Sequence, residues 1–345
     1  MFTHSHIRWA LLALSVLAYF LACPAAADDM NRSSGLPTYR STVSEVRVTF
    51  FATDESNHPP ATLTISDFAV VDNERVVRSF RSFARSDETA LDVVVLLDLS
   101  ESVAPRLQVV MSDVLQLVMQ EQSIPADNIS VLSFGGTSGG GATEGAIGET
   151  SASLRPAVLC ASSCETSDST SKLLAVKSGG ATPLFDALVF AAEFISHRHA
   201  GRLDGGPADA RTVLILFSDG DDTISLHSAR EALQAVLDQG ALIYSVDMGN
   251  PENQSSNQAS GAIFLRRVSE ATGGRYFSFS HGSSRQGAAA AVLSDVLEDL
   301  RASYVVTYDL PSHEAGFHSV RLLPTHNLNL TFHSRSGYDY EPGDR

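Results

Sequence analysis

Between Leu91 and Ser102 the chain reads L-D-V-V-V-L-L-D-L-S-E-S. The run Val93, Val94, Val95, Leu96 and Leu97 is apolar without interruption and rich in β-branched residues, which suits a strand covered on both faces. It stops on Asp98, Ser100 and Ser102, three oxygen-bearing side chains at spacing two. In locally extended chain that spacing turns alternate side chains the same way, so the three converge on one small object. A carboxylate with neutral hydroxyls is hard-oxygen chemistry, suited to Mg²⁺ or Mn²⁺. Read alone, the same residues make a turn with capping serines. The rest of the chain has to decide between the two.

A chain of 345 residues suggests two domains. Its hydrophobic content of 43% and charged content of 19% are those of a globular protein. A net charge of −16 and the lack of any basic run exclude a binder of nucleic-acid backbone. His4, His6 and Arg8 precede an apolar stretch from Trp9 to Leu21, then Pro24-Ala25-Ala26-Ala27 and Asp28-Asp29. This pattern reads as a signal peptide over residues 1–27, too short to favour a spanning helix. A competing reading acylates Cys23 and makes a lipoprotein, although bulky Phe20 and Leu21 fit that processing site poorly. Either way the chain is expected to be exported, to the periplasm or the exterior, with no transmembrane helix once mature. In such an oxidising compartment Cys160 and Cys164, spaced C-x3-C in a Ser-rich loop, are expected to form a local disulfide.

Residues 28–42 are polar and read as a flexible leader. From Val43 to Phe83 the period is two, with Val46, Val48 and Phe50, then Leu63 and Ile65, then Phe68 and Val70. Asp72-Asn73 is a tight turn into Val76 and Val77. Four short strands are too few for a closed sandwich, so this region is expected to borrow strands from elsewhere. Helices then alternate with apolar strands. Helices are expected over 105–120, from Pro183 with Thr182 at or near its N-cap, around Leu226 to Leu237 with Ser228 and Glu231 as a capping box, and over 261–272 and 286–300. The strands between them are 128–134, 211–217, 241–246 and 275–279. This alternation means a mostly parallel, doubly wound α/β sheet. The glycine-rich stretch 135–150 reads as a surface loop. Beyond it all, Tyr304 to Tyr308, Phe317 to Leu322 and Leu328 to Phe332 return to period two. The economical partition puts an α/β domain, 89–301, inside a discontinuous antiparallel β-sandwich made of 43–88 and 302–340.

Asp98 and Asp219 each follow a buried strand, and in a doubly wound sheet the carboxyl ends of strands are where ligands bind. Thr182 arrives on a loop before a helix. With Asp98-Leu99-Ser100-Glu101-Ser102, Gly180-Ala181-Thr182 and Asp219-Gly220 in that order, the chain resembles the von Willebrand factor type A (VWA) domains. The five oxygen-bearing residues resemble the metal-ion-dependent adhesion site of that family. The resemblance covers roughly residues 90–300. The flanks T-I-S-D-F-A-V-V-D-N-E, Y-V-V-T-Y-D-L-P and R-S-G-Y resemble exported bacterial VWFA-related proteins, with Asp72-Asn73-Glu74 standing where E-D-G is more usual. The resemblance implies that Asp98, Ser100, Ser102, Thr182 and Asp219 hold one Mg²⁺ or Mn²⁺. It further implies that the metal keeps an open position for a carboxylate of a protein partner.

An enzyme is the competing class. The chain has no G-x-S-x-G, no H-E-x-x-H and no paired acid–base motif, and His197 with His199 lies near a helix end, where solvent or helix-dipole roles fit better. A third reading is an envelope protein whose metal only stabilises its fold. The identity of a partner and the oligomeric state leave no mark in the sequence.

Overall fold

The computed structural model describes residues 45–86, 91–120, 128–136, 156–161, 164–202, 211–249, 256–278, 288–340 and 342. The signal and leader expectations, and most of the glycine-rich stretch, fall outside these residues. Residues 43–345 belong to one compact unit.

In chain order the elements are strands β1 (Glu45–Thr53), β2 (Phe68–Asp72), β3 (Arg75–Val76), β4 (Ser82–Arg85) and β5 (Leu91–Asp98). Helix α1 (Ala104–Gln120) and strands β6 (Ile129–Phe134) and β7 (Ala157–Cys160) follow, then α2 (Ser167–Ala175), α3 (Leu184–Arg202) and β8 (Arg211–Ser218). The chain continues through α4 (Ala229–Asp238), β9 (Leu242–Asp247), α5 (Ser256–Thr272), β10 (Tyr276–Ser278) and α6 (Ala288–Arg301). It closes with β11 (Tyr304–Asp309), β12 (Gly316–Pro324), β13 (Thr331–Ser334) and β14 (Gly337–Tyr340).

The central sheet has the order β10-β9-β8-β5-β6-β7. All its pairings are parallel except that of β7, which runs antiparallel to β6. Alternation along β5 explains why the sheet needs cover on both sides. Val93, Val95 and Leu97 pack with Leu107, Val110 and Val114 of α1 and Val296 and Leu300 of α6. Val94 and Leu96 point the other way, into Leu184, Leu188 and Ile195 of α3, Val236 of α4 and Leu265 of α5. The sheet is wound on both faces, as an apolar run without a polar side requires.

Two further sheets are antiparallel, with orders β13-β1-β11-β4 and β14-β12-β2-β3. The borrowing of strands is explicit. β1 pairs with β11 and β13, and β2 pairs with β12, each partner lying more than two hundred residues downstream. Val46, Val48, Phe50, Phe68, Val70, Tyr304, Val306, Tyr308, Val320 and Leu322 form the core between these sheets. Neighbouring Phe51 turns away and joins the core of the α/β part, its ring 6.4 Å from Tyr244 and 4.6 Å from His333. One strand thus serves two cores by its pleat.

The Asp72-Asn73-Glu74 turn carries positive φ at Asn73 (45°) and Glu74 (65°), joining β2 to β3 as a two-residue hairpin. The α4 capping box is complete: Ser228 Oγ accepts from Glu231 N, and Glu231 accepts from Ser228 N. Cys160 and Cys164 form a disulfide. Three local expectations are corrected. Ile65 lies outside any strand, and β13 begins at Thr331, so Leu328 is not part of it. Leu226 is 94% exposed and precedes α4 rather than joining its apolar face. In each case an apolar residue matched the period of a segment that the chain does not continue, because the neighbouring residues already close a loop.

Candidate metal centre

The order of the central sheet reverses at β5, whose neighbours are β6 and β8. Asp98 closes β5, and the register sets Leu97 beside Phe217, bringing Asp98 level with Ser218. The crevice outside the carboxyl ends of these two strands is where an open α/β sheet takes its ligand. Asp98 and Asp219 both lie there, 1% and 2% exposed, with Ser100 and Thr182 buried and Ser102 exposed at the rim.

Local bonds hold each group. Ser100 N donates to Asp98 Oδ1 at 2.8 Å, and Ser218 Oγ donates to Oδ2 at 2.7 Å. The Ser100 and Ser102 hydroxyls are 3.1 Å apart, on the short 3-10 turn Glu101–Val103 that leads into α1. Ser218 Oγ also accepts from Gly220 N at 3.0 Å, and Asp221 N donates to Asp219 Oδ1 at 3.2 Å. These are Asx and Ser turns, which stop a strand by offering its backbone another partner.

The loops are stitched to each other by backbone. Leu99 N donates to Phe134 O, Gly179 N to Leu99 O, Gly136 N to Gly179 O and Glu101 N to Gly180 O. Thr182 N donates to Thr223 Oγ1 at 2.8 Å, and Thr223 N returns to Thr182 O at 2.9 Å. The loops that carry Asp98, Thr182 and Asp219 therefore form one fabric. Gly136 is a tight point of the fabric: with φ +63°, a Cβ there would sit 2.5 Å from both Leu99 Cβ and Lys177 O.

Thr182 was expected to cap α3. The first-turn amides of that helix are taken instead by the neighbouring loop: Phe185 N donates to Asp222 Oδ2 and Asp186 N to Ser225 Oγ, both at 3.0 Å. Asp186 answers by accepting from Leu226 N and from His227 N and Nδ1. Ser218, Gly135, Gly136, Thr223 and Asp222 all escaped the sequence reading. The only signal for the two glycines was the G-G pair directly after β6, read there as part of a loop.

Burial pushes Asp98 up to about 7, against the hydrogen bonds from Ser100 and Ser218, and the neighbouring Asp219 adds to the rise. Asp221 is raised as well, by burial and then by Asp219 and Asp247. A second carboxylate beside a buried one opposes the ionisation of Asp98. A divalent cation reverses that penalty, and a set of two carboxylates and three hydroxyls is the hard-oxygen shell such a cation takes. Among the described residues no group of three or more His, Cys, Asp and Glu is placed to hold a metal.

Residues 92–283 match the family model of the von Willebrand factor type A domain. That match spans more than half of the chain, which belongs to this family. Similar solved structures include proximal thread matrix protein 1 from the mussel byssus (14% identity, 64% of this chain and 50% of that one, TM-score 0.42). BatB from Bacteroides thetaiotaomicron (14%, 60% and 97%, TM-score 0.41) and manganese-loaded TRAP of Plasmodium vivax (13%, 78% and 97%, TM-score 0.38) are others. The chain spans half the length of the mussel protein. No curated protein sequence matches it. The family match, and not these distant likenesses, carries the assignment.

Proposed function

We propose that Asp98, Ser100, Ser102, Thr182 and Asp219 hold one divalent cation, Mg²⁺ or Mn²⁺, and offer it to a carboxylate on a protein partner. The observation that carries this is the pair Asp98 and Asp219, two buried acids at the mouths of adjacent strands. The charge of Asp219 adds to the burial that raises Asp98. Three neutral hydroxyls beside two acids leave a divalent ion close to neutralised yet still electrophilic, which is the condition for attracting a further carboxylate. Ser102 stands at the exposed rim, the side from which a partner would come.

In this reading the protein is a binding module and not a hydrolase. Residues 89–301 would be the metal module and 43–88 with 302–340 its sandwich. Residues 1–27 would direct export to the periplasm or exterior. Among the described residues no helix is long and apolar enough to cross a membrane.

Calorimetric titration of Mg²⁺ into the wild type, Asp98→Ala and Thr182→Ala tests the site. Asp98→Ala should abolish binding. Thr182→Ala should weaken it more mildly, since one neutral oxygen is lost. Equal affinity in all three would sink the proposal. A metal that binds and raises the melting temperature, yet leaves capture of every acidic partner unchanged, would leave a purely structural role in its place.

A further inference from the structure

The turn that carries Asp219 runs on through Asp222 to Ser228, and it is tied repeatedly to the start of α3. Thr223 N donates to Thr182 O at 2.9 Å, and Thr223 Oγ1 accepts from Thr182 N at 2.8 Å. Asp222 accepts from Phe185 N at 3.0 Å, from Ser225 N at 3.1 Å and from Ser225 Oγ at 2.5 Å. Asp186, in the first turn of α3, accepts from Leu226 N at 3.0 Å, from His227 N at 2.9 Å and from His227 Nδ1 at 2.7 Å. Ser228 N donates to Glu231 Oε2 at 2.7 Å. The amides of Thr223, Ser225, Leu226, His227 and Ser228 are all committed, which fixes the path of the loop.

This fixed loop holds two apolar side chains in water: Ile224 is 47% exposed and Leu226 94%. A single exposed leucine carries no message in a soluble protein. Here the neighbouring amides are bonded, so folding the loop over to bury the two would break those bonds. Position matters as well. Ile224 follows Thr223, the residue clasped to Thr182. Asp186, which holds the Leu226 amide, stands four residues beyond Thr182, about one helical turn or roughly 5 Å of axial rise. Two apolar groups thus stand rigidly on the Thr182 side of the crevice.

We infer, resting on the metal reading above, that Ile224 and Leu226 are the apolar half of the partner site, and that the partner is an extended protein segment bearing a carboxylate with an apolar side chain two residues from it. The ion supplies the charge complementary to the acid. The loop supplies an apolar contact already in place, so little ordering is lost when it is covered. In extended chain alternate side chains share a face and stand about 7 Å apart. That is of the same order as the offset between Thr182 and the Leu226 backbone. An apolar residue directly beside the acid would point the opposite way.

The test uses the full chain and synthetic peptides in a Gly-Ser frame, with Mg²⁺ or with EDTA, read by fluorescence anisotropy. The peptides carry Glu-Ser-Leu, Glu-Leu-Ser, Glu-Ser-Ser or Gln-Ser-Leu at their centre. With Mg²⁺, Glu-Ser-Leu should bind about tenfold or more tighter than Glu-Ser-Ser, as burial of one leucine side chain provides. Glu-Leu-Ser should bind more weakly than Glu-Ser-Leu, Gln-Ser-Leu should not bind, and EDTA should abolish all binding. Leu226→Ser should erase most of the preference for leucine, Ile224→Ser should reduce it, and Leu226→Met should keep it. Both positions are exposed, so all three variants should fold and should take up Mg²⁺ as the wild type does in calorimetry. A wild type that takes up Mg²⁺ yet binds none of the peptides, or binds Glu-Ser-Leu no better than Glu-Ser-Ser or Glu-Leu-Ser, would overturn this inference and leave the metal reading standing. So would a Leu226→Ser variant that discriminates as the wild type does. A wild type that takes up no Mg²⁺ would remove both.

Discussion

The Ser218 hydroxyl donates to Asp98 Oδ2 at 2.7 Å while accepting from Gly220 N at 3.0 Å. One side chain thereby joins the ends of β5 and β8 and starts the turn that carries Asp219. Ser218→Ala strips a hydrogen bond from a buried carboxylate and leaves an amide without its acceptor. A loss of about 1–3 kcal/mol in stability is expected, along with weaker Mg²⁺ binding. Urea unfolding with and without Mg²⁺ measures both, and a variant as stable and as metal-responsive as the wild type would contradict it.

Gly220 (φ +80°) meets Gly261 of α5 backbone to backbone: a Cβ on Gly220 would lie 2.3 Å from Gly261 O, and one on Gly261 would lie 2.4 Å from Asp219 O. Backbone on both sides leaves nothing to swing away. Gly220→Ala and Gly261→Ala should each cost at least about 2 kcal/mol. Both should also weaken the metal site, because each displaces Asp219. Chemical denaturation with a parallel Mg²⁺ titration decides; a neutral Gly261→Ala would show that α5 is not packed on this loop.

His333 and Asp299 should give the protein opposing pH slopes. Burial, then Arg275, depresses His333 to about 4 from 6.5, and the ring meets Thr53 Oγ1 at 3.0 Å. Burial raises Asp299 to about 7 from 3.8, against Arg275, whose Nε lies 2.8 Å from its carboxylate. A base held below its unfolded pKa loses stability as pH falls from 6.5 to 4. An acid held above its unfolded pKa loses stability as pH rises from 3.8 to 7. In the wild type the two trends oppose one another, and Asp98, also raised to about 7, adds to that of the acid. Relative to the wild type, His333→Gln should therefore tilt stability toward decline as pH rises through that window, and Asp299→Asn should tilt it toward decline as pH falls. Unfolding free energies at a series of pH values provide the check, and profiles of the same slope in both variants would refute the pairing.

The Cys160–Cys164 bridge closes a loop of five residues, so it restricts the unfolded chain only slightly. Cys160→Ala with Cys164→Ala is expected to cost about 2 kcal/mol by loop entropy and to leave Mg²⁺ affinity unchanged. Thermal melts of the double variant beside reduced wild type test this. A loss of metal binding would show that the edge strand β7 supports the crevice more directly than its position suggests.

What the sequence by itself determined was local and one-dimensional. An apolar run with no polar side, Val93 to Leu97, suits a strand covered twice, and the structure covers it twice. Ser228 and Glu231 make both capping-box bonds, and the hairpin turns at Asn73 and Glu74, one residue beyond the Asp72-Asn73 expected, because such bonds span a few residues and depend on little else. The borrowing of distant strands by β1 and β2 was also legible, since a set of strands too small to close must find partners somewhere. Leu226 was misplaced because periodicity alone does not reveal that Asp186, forty residues earlier, captures the backbone of that loop. Ser218 and the clasp of Thr223 on Thr182 left no pattern at all. Their roles arise from the register of parallel strands and from packing between distant segments, and groups brought together across 41 to 120 residues share no spacing that a linear pattern can carry.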